Sequence, residues 1–180
     1  YRFRVFKHDA ADSMSIGNNF IRVLHEDSDG RIWIGTNVGV YIYNPKTENF
    51  RKFDVATERG DVISREVSSI KCDSAGDLWI GVNWQGVFRY DRRDESLELY
   101  EPVPGDTTSL SSIHVWDLCF DGDGNLWVGS QNGGLDRYDR ETDRFIRHRL
   151  KGLSDVSRIV LDKQNRLLIG TMKDGLFSFN

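Results

Sequence analysis

The chain has 180 residues, 38% of them apolar and a further 17 glycine, which is the composition of a folded domain and excludes a disordered tail. Its 24 lysines and arginines stand against 28 acids, a net charge of −4 with no basic block, so no nucleic-acid partner is expected. No apolar run approaches the roughly 18–20 residues of a membrane helix, so no membrane contact by this segment itself is expected.

In chain order, Tyr1-Arg-Phe3-Arg-Val-Phe6 comes first, with an aromatic spacing that returns at Phe50 and Phe53. Tyr1 rather than methionine opens the chain, which reads as a processed protein or an excised piece. Ile21-Arg-Val-Leu24 then begins a unit that recurs as Val67-Ser-Ser-Ile70, Val115-Trp-Asp-Leu118 and Val156-Ser-Arg-Ile159. Each copy runs into a turn and a second apolar segment. The first reads Asp27-Ser-Asp-Gly30-Arg-Ile-Trp33-Ile-Gly35-Thr36, and the second Asp73-Ser-Ala-Gly76-Asp-Leu-Trp79-Ile-Gly81-Val82. The third is Asp121-Gly-Asp-Gly124-Asn-Leu-Trp127-Val-Gly129-Ser130 and the fourth Asp162-Lys-Gln-Asn165-Arg-Leu-Leu168-Ile-Gly170-Thr171. Asp-x-x-Gly is a turn signal, with glycine, or asparagine in the fourth copy, where φ is positive. Consecutive apolar residues in the second segment predict a strand buried on both faces.

A third strand follows at Gly39-Val-Tyr-Ile-Tyr43, Gly86-Val-Phe-Arg-Tyr90, Gly134-Leu-Asp-Arg-Tyr138 and Gly175-Leu-Phe-Ser-Phe179. Polar turns then lead to a fourth at Phe50–Phe53, Leu97–Tyr100 and Phe145–His148. The steps from Trp33 to Trp79, Trp127 and Leu168 are 46, 48 and 41 residues, so the chain divides into four units. No segment of ten or more residues has helical periodicity. The expected fold is all-β, a β-propeller of four-stranded antiparallel blades with units at about 20–54, 66–101, 114–150 and 155–180. The strand at 1–7 could complete the last unit and remove its free edge, or the chain could be cut at one turn of a longer array.

The pattern Asp-x-x-Gly-x-Leu-Trp-Ile-Gly-Thr, Gly-Leu-x-x-Tyr-Asp, Phe-x-x-Tyr resembles the two-component regulator propeller repeat over essentially the whole chain. Val82 and Ser130 for threonine, Leu168 for tryptophan and the shorter Gly35–Gly39 loop depart from it. The resemblance implies the periplasmic sensor region of a hybrid two-component histidine kinase, which recognises products of polysaccharide breakdown. It also implies a segment of a larger propeller array, with further blades or a second receptor chain as neighbours. The kinase itself is absent from this segment, so the segment is expected to be no enzyme.

Ligands on propellers meet the loops between second and third strands and those leading into each blade. Here these carry Asn37, then Asn83, Trp84 and Gln85, then Gln131 and Asn132, then Lys173, with Arg65 and His114 leading in. Amides read hydroxyls and an indole packs on sugar C–H surfaces, so these nine residues are the candidate ligand site, with an oligosaccharide as the expected ligand. Trp84 has no counterpart at Val38, Gly133 or Asp174, so the repeat itself does not require it. Trp33, Trp79 and Trp127 are assigned to the blade core, and Trp116 to the core or the central channel.

No catalytic residue, metal ligand or cofactor is assigned. His8, His25, His114 and His148 are scattered without ligand spacing. Asp121-Gly-Asp-Gly-Asn125 resembles a calcium loop, but Leu126 and Asn132 stand where such a loop needs glycine and glutamate. Cys72 and Cys119 are too few for a disulfide framework and are read as buried free thiols. Two other functions stay open: a carbohydrate-active propeller enzyme using Glu66, His114 or Asp174, and a protein-interaction scaffold.

Overall fold

A computed structural model of the chain describes residues 3–149, 151 and 153–179. Among them there is no helix. Sheet I comprises β1 (Ile21–Glu26), β2 (Ile32–Thr36), β3 (Gly39–Asn44) and β4 (Asn49–Phe53). Sheet II comprises β5 (Val67–Cys72), β6 (Leu78–Val82), β7 (Gly86–Asp91) and β8 (Ser96–Tyr100). Sheet III comprises β9 (Val115–Phe120), β10 (Leu126–Ser130), β11 (Gly134–Asp139) and β12 (Arg144–His148). Sheet IV holds β13 (Val156–Leu161), β14 (Leu167–Thr171) and β15 (Leu176–Phe179). Every strand pairs antiparallel with its neighbour in sequence, which is the up-and-down order of propeller blades.

The Asp-x-x-Gly turn is built by one side chain. In sheet I the Gly30 N–H donates to the Asp27 carbonyl at 2.9 Å, while Oδ1 of Asp27 accepts from the Asp29 and Arg31 N–H groups. Gly30 has φ 74° and Asn165, its counterpart in sheet IV, φ 61°, a conformation these two residue types adopt most readily. The second carboxylate oxygen then reaches the tryptophan of the next strand. Trp33 Nε1 donates to Asp27 Oδ2 at 2.8 Å, Trp79 to Asp73 at 3.1 Å, and Trp127 to Asp121 at 2.8 Å. Leu168 has no such donor, and Arg166 Nε donates to Asp162 Oδ2 at 2.7 Å instead.

Those tryptophans fill the spaces between sheets. Trp33 lies edge-on to Phe53 at 5.3 Å and meets Tyr90 of sheet II at 6.0 Å. Trp79 meets Tyr138 of sheet III at 4.7 Å, and Trp127 meets Phe179 of sheet IV at 5.2 Å. β6 and β10 are buried at all five residues, as consecutive apolar residues predicted. The second-strand glycines allow the close approach of the next sheet. A methyl group added at Gly35, Gly81 or Gly129 would come within 2.6, 2.9 or 2.5 Å of Cγ1 of Val67, Val115 or Val156. Cys72 and Cys119 are free, and burial pushes both thiols up.

The first strands touch in succession, β1 on β5, β5 on β9 and β9 on β13. The four sheets form an open arc, because the two outward faces stay bare. Leu24 is 65% exposed, whereas its counterparts Ile70, Leu118 and Ile159 are buried. At the other end Leu176 is 72% exposed, against fully buried Val40, Val87 and Leu135.

The strand expected at 1–7 as the fourth of the last sheet is not formed. Residues 1 and 2 lie outside the described residues, and 3–7 carry no strand. Phe6 packs on Tyr43 and Phe50 of sheet I, at 5.4 and 5.3 Å, and Arg4 pairs with Glu48. The segment therefore lies at the end of the arc away from sheet IV, and an open arc cannot bring it to β15.

Candidate functional site

The strand registers gather one set of loops at one end of the sheets. Ile21 opposes Thr36 and Thr36 opposes Gly39, and the pairs Val67 with Val82 and Val82 with Gly86 repeat this in sheet II. Loops leading into each sheet and loops joining second to third strands therefore share this end, while the Asp-x-x-Gly turns lie at the other. Each first strand also bulges here. Arg22, Ser68, Trp116 and Ser157 each fall where the register slips by one residue. Such a bulge re-aims its side chain and is common beside functional sites. Trp116 is half-buried, and its carbonyl accepts from Arg158 at 3.4 Å.

The centre of this face is the junction of sheets II and III. Asn83 and His114 form an isolated antiparallel bridge, and His114 Nδ1 donates to Asn83 Oδ1 at 3.2 Å. Trp84 is 63% exposed, with its ring 4.1 Å from the His114 ring at 84°. The Trp84 N–H donates to Ile113 O at 3.0 Å across the two sheets, and the Gln131 N–H donates to His114 O at 3.0 Å, so the backbone of all four residues is tied to this junction.

Trp84 has φ 69°, in the left-handed region where a bulky side chain is an outlier. The register corrects its alignment with the other copies. Val82 opposes Gly86 and Ser130 opposes Gly134, so Trp84 is the counterpart of Asn132, which has φ 58°. Asparagine tolerates this conformation and tryptophan does not. Gly133 and Asp174 each directly precede the glycine that opens the third strand, so they align with Gln85 and not with Trp84.

Two flanking clusters repeat the same construction with charged groups. Between sheets I and II, Arg22 Nε donates to Asn37 Oδ1 at 2.7 Å and Arg22 pairs with Glu66 at 3.0 Å. Between sheets III and IV, Asp155 accepts from the Asn132 N–H at 3.0 Å and pairs with Lys173 at 3.1 Å. The Asn132 N–H and Lys173 together hold the Asp155 carboxyl below its usual range. Gln85 is a buttress: Oε1 accepts from the Ser64 and Arg65 N–H groups and Nε2 donates to Val62 O. Arg65 is exposed on the loop that Gln85 pins.

Of the nine sequence-derived residues the structure thus joins Asn83, Trp84, His114 and Gln131 directly. It sets Asn132 with Lys173 one junction away and Asn37 at the opposite junction. Arg22 was missed, and Asp155, on the loop leading into sheet IV, was not among the nine; each pairs with a member of the set, and no repeated residue type marks either position, since Trp116 and Phe20 stand at equivalents in other copies. Among the described residues no group of three or more His, Cys, Asp or Glu side chains is placed to hold a metal ion. Cavities of about 820 and about 340 Å³ open elsewhere, beside β8, β12 and the segment 101–110. The larger is lined by Tyr100, Glu101, Asp143 and Arg144 among others.

The model of the two-component regulator propeller family matches residues 15–38 and 109–132. Among solved structures, the extracellular domain of a hybrid two-component system from B. thetaiotaomicron superposes with TM-score 0.81 at 21% identity, over 98% of this chain and 25% of that one. A second such domain from the same organism gives 0.77 at 18%, over 92% of this chain and 25% of that one. Virginiamycin B lyase from Staphylococcus aureus gives 0.64 at 14%, over 93% and 58%. At these identities the likeness shows a shared propeller fold, and the chain spans about a quarter of the length of the two-component domains it matches. Among curated proteins nothing matches the sequence.

Proposed function

We propose that this chain carries two-component regulator propeller repeats and is a non-catalytic, ligand-sensing part of the periplasmic region of a hybrid two-component receptor, and that its loop face binds an oligosaccharide. The observation that carries this reading is Trp84, an exposed indole held at positive φ against His114. A residue kept in a costly backbone conformation on the surface adds nothing to the core, and such strain concentrates where a ligand is met. An indole face offers apolar area to sugar C–H groups. The side chains of Gln131, at the same junction, and Asn132, one junction along, offer donors and acceptors to hydroxyls.

The acids and histidine that an enzyme of this fold would use are held apart or engaged. Glu66 pairs with Arg22, His114 with Asn83 and Trp84, and Asp174 lies in the loop of sheet IV. Signalling to a kinase requires the ligand to prefer one arrangement of the receptor, because equal affinity for both shifts neither. The loop face spans the junctions between sheets, so a ligand lying across it can favour one relative arrangement of blades.

Calorimetry against plant, host and microbial oligosaccharides tests the reading, with Trp84→Ala and His114→Ala as controls. Saturable binding without product, lost in both variants, is the expected result. Product formation would replace it with the enzyme reading. Silence across the panel from folded protein would reject this face as the ligand site.

A further inference from the structure

In sheets I and III the outer edge of the fourth strand is covered by the chain itself. The Phe50 N–H of β4 donates to Met14 O at 2.9 Å, and the Phe145 N–H of β12 donates to Thr108 O at 2.8 Å. An aspartate two residues earlier pins each acceptor. Asp12 Oδ1 accepts from the Met14 N–H at 2.9 Å, and Asp106 Oδ1 from the Thr108 N–H at 2.8 Å. Two residues later, buried Ile16 and Leu110 anchor the covering segments.

The edge of β8 is built differently. Leu97 opposes Tyr90 as Phe50 opposes Tyr43 and Phe145 opposes Tyr138, so its N–H points out of the sheet edge as theirs do. Ile63 is the buried anchor of the matching segment, which puts Asp61 at the position of Met14 and Thr108. The Asp61 carbonyl is already engaged: it accepts from the Thr57 N–H at 2.9 Å, in a hairpin held by the Ala56–Val62 bridge. Arg59 stands where the other two segments carry their pinning aspartate. Among the described residues no neighbouring segment accepts the Leu97 N–H. Leu99, two residues on, faces the same way.

The cavity of about 820 Å³ opens along this edge. Its walls come from residues 57–59, β8, the segment 101–110 and residues 142–145. They hold six acids and two arginines, a surplus of four negative charges. Arg59 pairs with Asp61 at 3.4 Å and Glu101 at 3.2 Å, and Arg144 donates to Thr108 Oγ1 at 2.6 Å. Glu58 and Asp94 are exposed and form no ion pair among the described residues. Val103, 51% exposed, and half-buried Leu99 and Tyr100 add apolar wall.

We propose that this cavity takes an extended, basic segment of a partner protein, which adds to β8 as a fifth strand and sets a lysine or arginine against Glu58 and Asp94. An unpaired strand edge is a template for a further strand, with main-chain bonds giving affinity and the flanking groups specificity. Main chain is the fitting occupant because it fills the same position in sheets I and III. Positive charge fits because the uncompensated charge beside the edge is negative. The cavity lies apart from the loop face, so this inference is independent of the ligand reading.

A labelled heptapeptide alternating lysine with valine tests it. The controls are a glutamate–valine peptide and the lysine–valine peptide N-methylated at every residue. At about 0.15 M salt, saturable binding with a Kd below about 100 μM is expected, with the Leu97 and Leu99 amide resonances shifting together. Both controls are expected to bind at least about 10-fold more weakly, the first for want of charge complementarity and the second for want of main-chain donors. Glu58→Lys combined with Asp94→Lys has the same expected effect on the lysine–valine peptide. Both residues are exposed, so that variant keeps its circular dichroism. No binding up to about 1 mM peptide, equal binding of the N-methylated peptide, or resonance shifts confined to residues away from β8 would each overturn the proposal.

Discussion

Oδ2 of Asp73 in sheet II receives the guanidinium of Arg140 from sheet III at 2.8 Å. The same oxygen accepts Trp79 Nε1 at 3.1 Å, while Oδ1 closes the turn. One carboxylate thus ties together a turn, a core tryptophan and the neighbouring blade.

Burial alone would raise the Asp73 carboxyl. Hydrogen bonds from Arg140, Trp79 and the Asp77 N–H outweigh that and hold it below the usual carboxylate range. Asp27 and Asp121 are lowered against burial by the same tryptophan and turn contacts. A depressed folded-state value means stability that is present above the unfolded value of 3.8 and lost as pH falls through the folded one. Asp73→Ala is expected to cost about 2–4 kcal/mol in urea unfolding at pH 7, since it strands a buried indole N–H and turn N–H groups. That deficit shrinks towards pH 2, where the wild-type carboxylate is protonated.

Asp136 is displaced the other way. Burial pushes its carboxyl up to about 6, against the Ser111 hydroxyl and N–H groups and the charges of Arg147 and Arg149. Its Oδ2 accepts from Ser111 Oγ at 2.6 Å and from the Ser111 N–H at 2.9 Å. A raised folded-state value costs stability once pH climbs through about 6, and the cost is relieved on going down towards 4. The displacement corresponds to on the order of 3 kcal/mol. Burial lowers His25 and His148, which work in the opposite direction over part of the same window. The difference between wild type and Asp136→Asn isolates the carboxyl: the variant is expected to gain relative stability from pH 4 to 7, and parallel pH profiles would refute the assignment.

Trp84 separates stability from function. Its counterpart in sheet III, Asn132, shares the left-handed backbone at little cost. Trp84→Asn is expected to leave the unfolding free energy unchanged or raise it by about 1 kcal/mol, while abolishing saccharide binding. A loss of more than about 1 kcal/mol in thermal unfolding would mean that the ring packs for the fold rather than for a ligand.

The repeat and the four-stranded plan were legible because Trp33, Trp79, Trp127 and Leu168 recur in fixed sequence contexts. The turn was legible for the same reason. That its aspartate is also the acceptor of the tryptophan indole was not, because the Asp-x-x-Gly pattern explains itself as a turn, and only the position of Oδ2 reveals the second partner. The arrangement of the ends was not legible either. The aromatic spacing of Phe3 and Phe6 shows a fourth-strand pattern but not which sheet it serves, and that depends on the curvature of the arc. On the loop face, residue types pointed to Trp84 and His114 separately. Their contact rests on the Asn83–His114 bridge between sheets, a long-range pairing that no local pattern encodes.

The most direct measurement is a saccharide titration of the folded chain followed on the indole N–H resonances of its five tryptophans. Trp33, Trp79 and Trp127 have their N–H groups bonded to aspartates in the blades, whereas Trp84 faces solvent. The expected result is a saturable shift of the Trp84 resonance with those three unmoved. Saturable binding that leaves Trp84 unmoved would contradict the loop face as the ligand site.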